Sequence, residues 1–585
     1  MKVKLIGCTA LLGLALTSCV DDKYDLSDVD TTSRFQVNDL TVPVNIDNIY
    51  LSDIIKIEEN SRIQIVTIDG KDFYAIVEKG NLESDPINVK TVTAKAPVLS
   101  PSHEILSRVS TDASSKADGD EVFSYQLKEM GNDFQYTDPD VDHAIISLEA
   151  AQINNLKFTI DLSTANVNFA EVSSMRFNDI SIQMPKGMTA KASVGSYDAK
   201  TGVWSISNID VTSAVTSIYL EASAINFAAN DSKLENHAIT LNSEFRILDG
   251  TLTIAAAAGY LPAEIEFDAS YTLDDMVVTA IDGEINYYVE GLDDFSNIDL
   301  SDIPNFLKGD ENNIALTNPT LFIQVNNPVA DDNLTLSSGM TITAYRDGAA
   351  PRVFSPEKDV VINYNLGNDG QYNNVLSPAK PEAQYILPEY ASNLQWVEFS
   401  TLGEIFAPAP DSSVKGIPSS VAIDLTDCQI PTQTVKNFPI GRTINPVKGN
   451  YEFLAPFAMV EDSEIVYVET KENWDVDFLK DMVVTKLTVE ADIQNNTPSD
   501  IRLVILPLNS KGEQINNVEF SSNTVAAQSE GHVEFNLTGE ITDLDGVILK
   551  AYVISRDGNT PLTPDQDLVM TNIRAKVTGY YDTDF

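Results

Sequence analysis

Leu156-Lys157-Phe158-Thr159-Ile160-Asp161-Leu162 carries an apolar side chain at every second position and a polar one between. A two-residue period sends alternate side chains to opposite faces of an extended chain, so this stretch reads as a half-buried β-strand. The same period returns at Ile180/Ile182/Met184, at Ile218/Leu220/Ala222/Ala224 and at Val533/Phe535/Leu537. Asp-Gly occurs eight times, beginning at residues 69, 118, 249, 282, 347, 369, 545 and 557. Asp69-Gly70 lies between the apolar runs 63–68 and 73–77, as a tight hairpin requires, because glycine accepts positive φ without strain. Helical signals are confined to 302–309, with an acidic cap, Pro304 and a terminating Gly309, and to 102–106. Neither is long enough to build a helical layer. The pattern predicts an all-β chain of several β-sandwich domains in tandem with few short helices.

The chain has 585 residues, which at roughly 150 residues per domain gives about three to five domains. Hydrophobic residues make up 43%, enough for packed cores, so a wholly disordered chain is excluded. Residues 110–120 are polar and aperiodic and read as a linker, and Ala407-Pro408-Ala409-Pro410-Asp411 reads as a stiffer one. A third division is drawn near Asp282-Gly283. The expected organisation is a signal segment at 1–18, a tether at 19–33, and β domains at 34–121, 122–282, 283–410 and 411–585.

The third division rests on an internal repeat. Leu273-Asp274-Asp275-Met276-Val277-Val278-Thr279 returns as Leu479-Lys480-Asp481-Met482-Val483-Val484-Thr485. Ile323-Gln324-Val325-Asn326-Asn327-Pro328 is echoed by Ile493-Gln494-Asn495-Asn496-Thr497-Pro498. The spacing between the two motifs differs between the copies, so a tandem duplication does not follow. With Asn318-Pro319 just upstream, this strand, Asn-Pro, strand pattern resembles the WHy-type β-sandwich of water-stress proteins. The resemblance implies Ig/WHy-like sandwich domains and transfers no function. Asparagine tolerates turn geometry and proline ends strand pairing, so the motif is expected to be structural.

The first residues read MKVKLIGCTALLGLALTS, with Lys2 and Lys4 before a short apolar stretch that ends in Leu16-Thr17-Ser18-Cys19. The stretch is too short to cross ~30 Å of hydrocarbon and reads as a secretory signal. The last four residues resemble a bacterial lipobox, which implies cleavage between Ser18 and Cys19 and acylation of Cys19 with palmitate-type chains. Val20-Asp21-Asp22-Lys23-Tyr24-Asp25 follows, and acids in this density cannot pack, so a solvated tether is expected. An acidic patch after the lipobox cysteine resembles the surface-export signal of Bacteroidota lipoproteins; a plain periplasmic tether is the alternative. Asp30-Thr31-Thr32 resembles that phylum's O-glycosylation sequon at Thr31, with a bare linker threonine as the alternative.

Lys+Arg number 38 against 87 Asp+Glu, a net charge of −49 that repels phosphate backbones and excludes nucleic acid as a partner. With Cys19 consumed by lipid, Cys428 has no disulfide partner in the mature chain and is expected as a small buried hydrophobe. His103-Glu104 would need a histidine at 107 to form a metal-hydrolase motif, and that position is Ser107. The four histidines, His103, His143, His237 and His532, are dispersed. Trp204, Trp396 and Trp474 fall one in each of three expected domains, which suits core tryptophans better than one sugar platform. Asp138, Asp140, Asp142 and Glu149 sit at positions 1, 3, 5 and 12 of a calcium-loop spacing, but position 6 is His143 where the turn needs glycine. They read either as a looser inter-domain Ca²⁺ site or as a solvated acidic loop; no other cofactor is expected.

These readings converge on a noncatalytic, lipid-anchored surface protein that presents β-sandwich domains to a glycan or protein ligand. The alternatives are an adhesin or pilus-like assembly component, and a glycoside hydrolase or lipid-carrying envelope protein.

Overall fold

The computed structural model describes residues 32–584 apart from 44–48, 51–54, 56, 58–61, 69, 112–118, 231–232, 262, 293–295, 310, 363–370, 383–384, 411, 473–478, 480 and 559. Ser18, Cys19, Thr31 and Trp474 lie outside the described residues, as does most of the expected tether. The protein is almost entirely β, with helical geometry limited among the described residues to Leu479 and to short 3-10 turns such as Asn305–Lys308 and Leu402–Ile405. The expected turn at 302–309 forms, whereas 102–106 lies in the strand Ser102–Thr111. That strand pairs with Glu264–Leu273, and sheet pairing overrides the weak local helical signal.

Contacts divide the chain into one unit of 1–57, 304–313 and 459–585 and another of 58–303 and 314–458, so both are assembled from distant segments. The expected linker at 110–120 instead joins Ser102–Thr111 to Asp120–Leu127, two strands that pair with each other. The 407–413 segment is likewise held in place. Arg346 donates to the carbonyls of Ile405 and Ala407 at 2.9 and 2.8 Å, and Arg352 to that of Ala407 at 2.7 Å. Asp282-Gly283 falls inside the strand Met276–Tyr288, where a Cβ on Gly283 would meet the Ser147 carbonyl oxygen at 2.1 Å. Glycine is there for close approach, not for a turn.

The first unit is a sandwich of two antiparallel sheets. One runs in the order Thr32–Pro43, Asp567–Asp584, Val483–Asn495, Ser529–Ile541 and Glu519–Phe520; the other runs Glu464–Lys471, Leu544–Ser555, Ser499–Asn509, Ser522–Val525. Leu487, Val489, Phe535 and Leu537 from the first meet Leu503, Ile505 and Leu549 from the second in one buried cluster. Alternation at 533, 535 and 537 thus does what the sequence period predicts, and each such side chain contributes roughly 1.5–3 kcal/mol on burial.

In the second unit, a six-stranded sheet runs Leu394–Glu398, Gln371–Ser377, Thr320–Asn326, Lys448–Pro456, Lys71–Glu83 and Ile63–Ile68. Ile68 faces Lys71 in the last pair and Gly70 has φ +75°, so the Asp69-Gly70 hairpin forms as read. The larger strand assembly is organised by three 20-residue strands, Ile145–Thr164, Ala238–Ala257 and Ser420–Pro439. These exchange partners along their length: Ile145–Thr164 pairs first with Met276–Tyr288 and then with Glu264–Leu273. Phe158 and Phe245 pack edge to face at 6.0 Å, and Phe245 does the same with Tyr271 at 5.0 Å. Met276–Tyr288 is held between Ile145–Thr164 and Ser420–Pro439, and its far end carries Tyr287 and Tyr288 to the rim of a cleft.

Candidate functional site

The cleft, of about 490 Å³, lies in the second unit where three segments meet: 86–88, 142–146 and 286–290. Hydrogen bonds fix this frame. The Asp142 carboxylate accepts from Ala144 N at 3.1 Å and from Lys90 N at 3.3 Å, tying the first segment to the second. Asn286 N donates to the Ala144 carbonyl at 2.7 Å, and Asp85 N donates to that of Glu290 at 2.8 Å. Gly291 turns the chain away at φ +81°, where a Cβ would lie 2.8 Å from Asp85 N.

Strand alternation then distributes the side chains. Tyr287 points into packed surroundings, 4% exposed and tilted against Phe438, while Tyr288 stands 66% exposed on the rim. Pro86, Ile87, Ala144 and the half-exposed Ile146 supply apolar wall, and Asp142, Glu290, Asn88 and Asn286 supply polar edges. None of the eleven lining residues is lysine or arginine. The nearby guanidinium of Arg442 is held by the Asp332 carboxylate and the Pro439 carbonyl.

Two buried atoms on this wall have no hydrogen-bond partner: the Tyr287 hydroxyl and Asn286 Oδ1. Asn286 Nδ2 is engaged, donating to Thr432 Oγ1 at 3.3 Å. Burial, and next the Asp142 charge, hold the Tyr287 phenol far above the usual tyrosine range, so it stays neutral. An unsatisfied buried polar atom costs roughly 1–3 kcal/mol, and its place on a cleft wall gives it a use.

The acids of the calcium-loop spacing are placed as follows. Asp138 accepts from Thr93 N at 2.8 Å and Asp140 N at 3.0 Å, and Asp142 accepts as above. Glu149 lies along the Ile145–Thr164 strand, exposed and away from the turn that holds the three aspartates. Among the described residues no group of three or more His, Cys, Asp or Glu side chains is arranged to hold a metal ion. Of these acids, the Asp138 and Asp142 carboxylates each accept two backbone N–H groups.

Other sequence candidates resolve into packing. Cys428 is buried and unpaired, and burial pushes its thiol up to about 11. Trp204 is fully buried and donates to the Val194 carbonyl at 2.7 Å; Trp396 is half-buried and donates to Ser377 Oγ at 3.1 Å. His103 sits 2.7 Å from Asp268, whose hydrogen bond raises its pKa, and His532 pairs with Asp492 at 2.7 Å. The rings of His143 and His237 lie tilted at 43° with centroids 3.8 Å apart, and His143 lines the cleft. Asn327 and Asn495 are buried turn-closing residues: Oδ1 of each accepts the N–H two residues on, at 3.0 Å in both.

A smaller cleft of about 330 Å³ is lined by Lys79, Glu389, Tyr390, Asn450 and Glu452 among others. Burial raises the Glu452 carboxyl despite Lys79 at 2.9 Å. The lysine pairs that acid; of these two clefts, the 490 Å³ one is lined by residues with unpaired buried polar atoms.

No family model matches the chain and no curated protein matches it, so the WHy-type resemblance gains no family support. A protein of Parabacteroides distasonis ATCC 8503 described as secreted is similar in structure, with 16% identity and a TM-score of 0.35 over 51% of this chain and 89% of that one. A structure of the triple jelly-roll fold and turret assembly of an archaeal virus matches with 8% identity and a TM-score of 0.10, over 83% of this chain and 91% of that one. At these values neither likeness bears on function. Among the described residues no helix is long and apolar enough to cross a membrane.

Proposed function

We propose that the chain is a noncatalytic binding protein, anchored through acylated Cys19 in the outer membrane and facing the cell exterior, with a glycan or protein as ligand. The observation that carries the reading is the 490 Å³ cleft, with an exposed aromatic rim at Tyr288 and unpaired polar atoms at Asn286 and Tyr287. Apolar walls with a few convergent polar groups are what small-ligand sites present. Anchoring is supported by Leu16-Thr17-Ser18-Cys19 and the acids after it. Metabolic labelling with a palmitate analogue tests the anchor: label on the wild type and none on Cys19→Ser is expected. Protease shaving of intact cells tests the face, and an array of glycans and peptides read with wild type and Tyr288→Ala tests the cleft.

Assembly through a sheet edge is the second reading, favoured by the strand Thr32–Pro43. Among the described residues it pairs only with Asp567–Asp584, and positions 33–36 and 38–41 are exposed. Such an edge offers unpaired backbone groups to another chain. Its own register shift between Val37 and Leu40, with Asp39 at φ +53°, weakens that offer. Concentration-dependent association on a sizing column, lost on deleting 32–43, is the result that would favour it.

A further inference from the structure

We infer that the cleft between 86–88, 142–146 and 286–290 binds a primary ammonium carried on an aliphatic stem, as the side chain of a lysine on a partner protein presents it. This rests on the reading of the cleft as a recognition site and names the chemistry that it takes.

The charged groups left to a ligand are both acceptors, the second lone pairs of the Asp142 oxygens and the Glu290 carboxylate, with Asn286 Oδ1 a third; Asn88, His143 and the tyrosine hydroxyls add neutral donors. An ammonium group brings three donors and no acceptor, whereas every sugar hydroxyl brings acceptor lone pairs with its donor. Sign points the same way, since two carboxylates line the cleft with no cationic side chain among the lining residues. A buried unpaired acceptor is repaid most by a charged donor.

Shape supplies the stem. Pro86, Ile87, Ala144 and Ile146 form an apolar wall along which a four-carbon chain can lie, and the open face of Tyr288 suits a cation above the ring. The protein's net charge of −49 adds long-range attraction for a basic partner, which salt weakens.

The test titrates the soluble mature chain, lacking its lipid, with a short peptide blocked at both ends and containing one lysine. The comparison peptides are its Nε-acetylated form and its norleucine analogue, and a panel of neutral oligosaccharides is run beside them. Saturable binding of the lysine peptide is expected, weakened about tenfold or more by acetylation or by norleucine. Tyr288→Ala and Glu290→Gln, both at exposed positions, should each weaken it severalfold while the melting temperature stays put. Equal binding of the acetylated peptide, or binding indifferent to Tyr288→Ala, overturns the inference. A neutral oligosaccharide that binds and is lost on Tyr288→Ala, with the lysine peptide silent, overturns the ammonium assignment and leaves the recognition site standing. Silence from every probe counts against both.

Discussion

Tyr136 and Tyr287 occupy comparably dry places in the same unit, 0% and 4% exposed, yet differ in one atom's company. The hydroxyl of Tyr136, on the strand Met130–Asp138, donates to the Asp274 carbonyl at 2.7 Å. That of Tyr287, at the end of Met276–Tyr288, finds no partner. Burial comes first in raising both phenols and nearby aspartates come second: Asp274 and Asp275 for one, Asp142 for the other. Depth therefore does not separate core from site. Hydrogen bonding divides this pair: Tyr136 closes its bond internally, and Tyr287, a cleft-lining residue, leaves one open. Asn374, 1% exposed with both its side-chain polar atoms unpaired, shows that an open bond marks a site only together with a cleft.

The largest effects should leave the two alike. Tyr136→Ala and Tyr287→Ala each remove a packed ring and should cost about 3–5 kcal/mol in urea unfolding. A much smaller loss at Tyr287 would make its surroundings loose and break the comparison. Alkaline pH should also treat them alike. Native phenols held above the unfolded value near ~10 retain their protons when unfolded ones lose them, so the stability they give is full below that pH and falls as pH rises above it. Phenolate absorbance from these residues should therefore appear only together with unfolding.

Removing single oxygens should then divide them. Tyr136→Phe strips the Asp274 carbonyl of its donor and should cost about 1 kcal/mol; Tyr287→Phe should cost nothing measurable, or stabilise by up to about 1 kcal/mol. Binding at the cleft should weaken in Tyr287→Phe at the same time. Smallest of all, Tyr288→Ala should lie within about 0.5 kcal/mol of the wild type, because its ring is mostly in water. A larger loss would make Tyr288 a packing residue.

Local patterns were readable in the sequence where local physics governs. The period at 156–162 buries Leu156, Phe158, Ile160 and Leu162, each at 1% exposure or less, and Gly70 turns its hairpin. At 249, 282 and 545 the same dipeptide lies inside the strands Ala238–Ala257, Met276–Tyr288 and Leu544–Ser555, where glycine serves close backbone approach to strands remote in sequence. Pairing between distant segments is not marked by composition: Lys71–Glu83 pairs with Lys448–Pro456. At Ile218/Leu220/Ala222/Ala224 the burial shifts from Ala224 to Ile225, opposite a bulge between Gln152 and Leu156. The calcium spacing overlapped the cleft at Asp142, yet its other walls come from segments some 50 and 140 residues away. One signal was present, since Asn286-Tyr287-Tyr288 ends an alternating strand with one tyrosine turned in and the next turned out.

Hydroxyl proton exchange, read on the ring Cζ of Tyr136 and Tyr287 in tyrosine-labelled protein with and without the blocked lysine peptide, tests the claim most directly. Slow exchange is expected at Tyr136 in both states, and at Tyr287 faster exchange in the free protein that slows when the bound peptide shuts water out of the cleft. A Tyr287 proton already as slow as that of Tyr136 in the free protein, or one that ignores bound peptide, would contradict it.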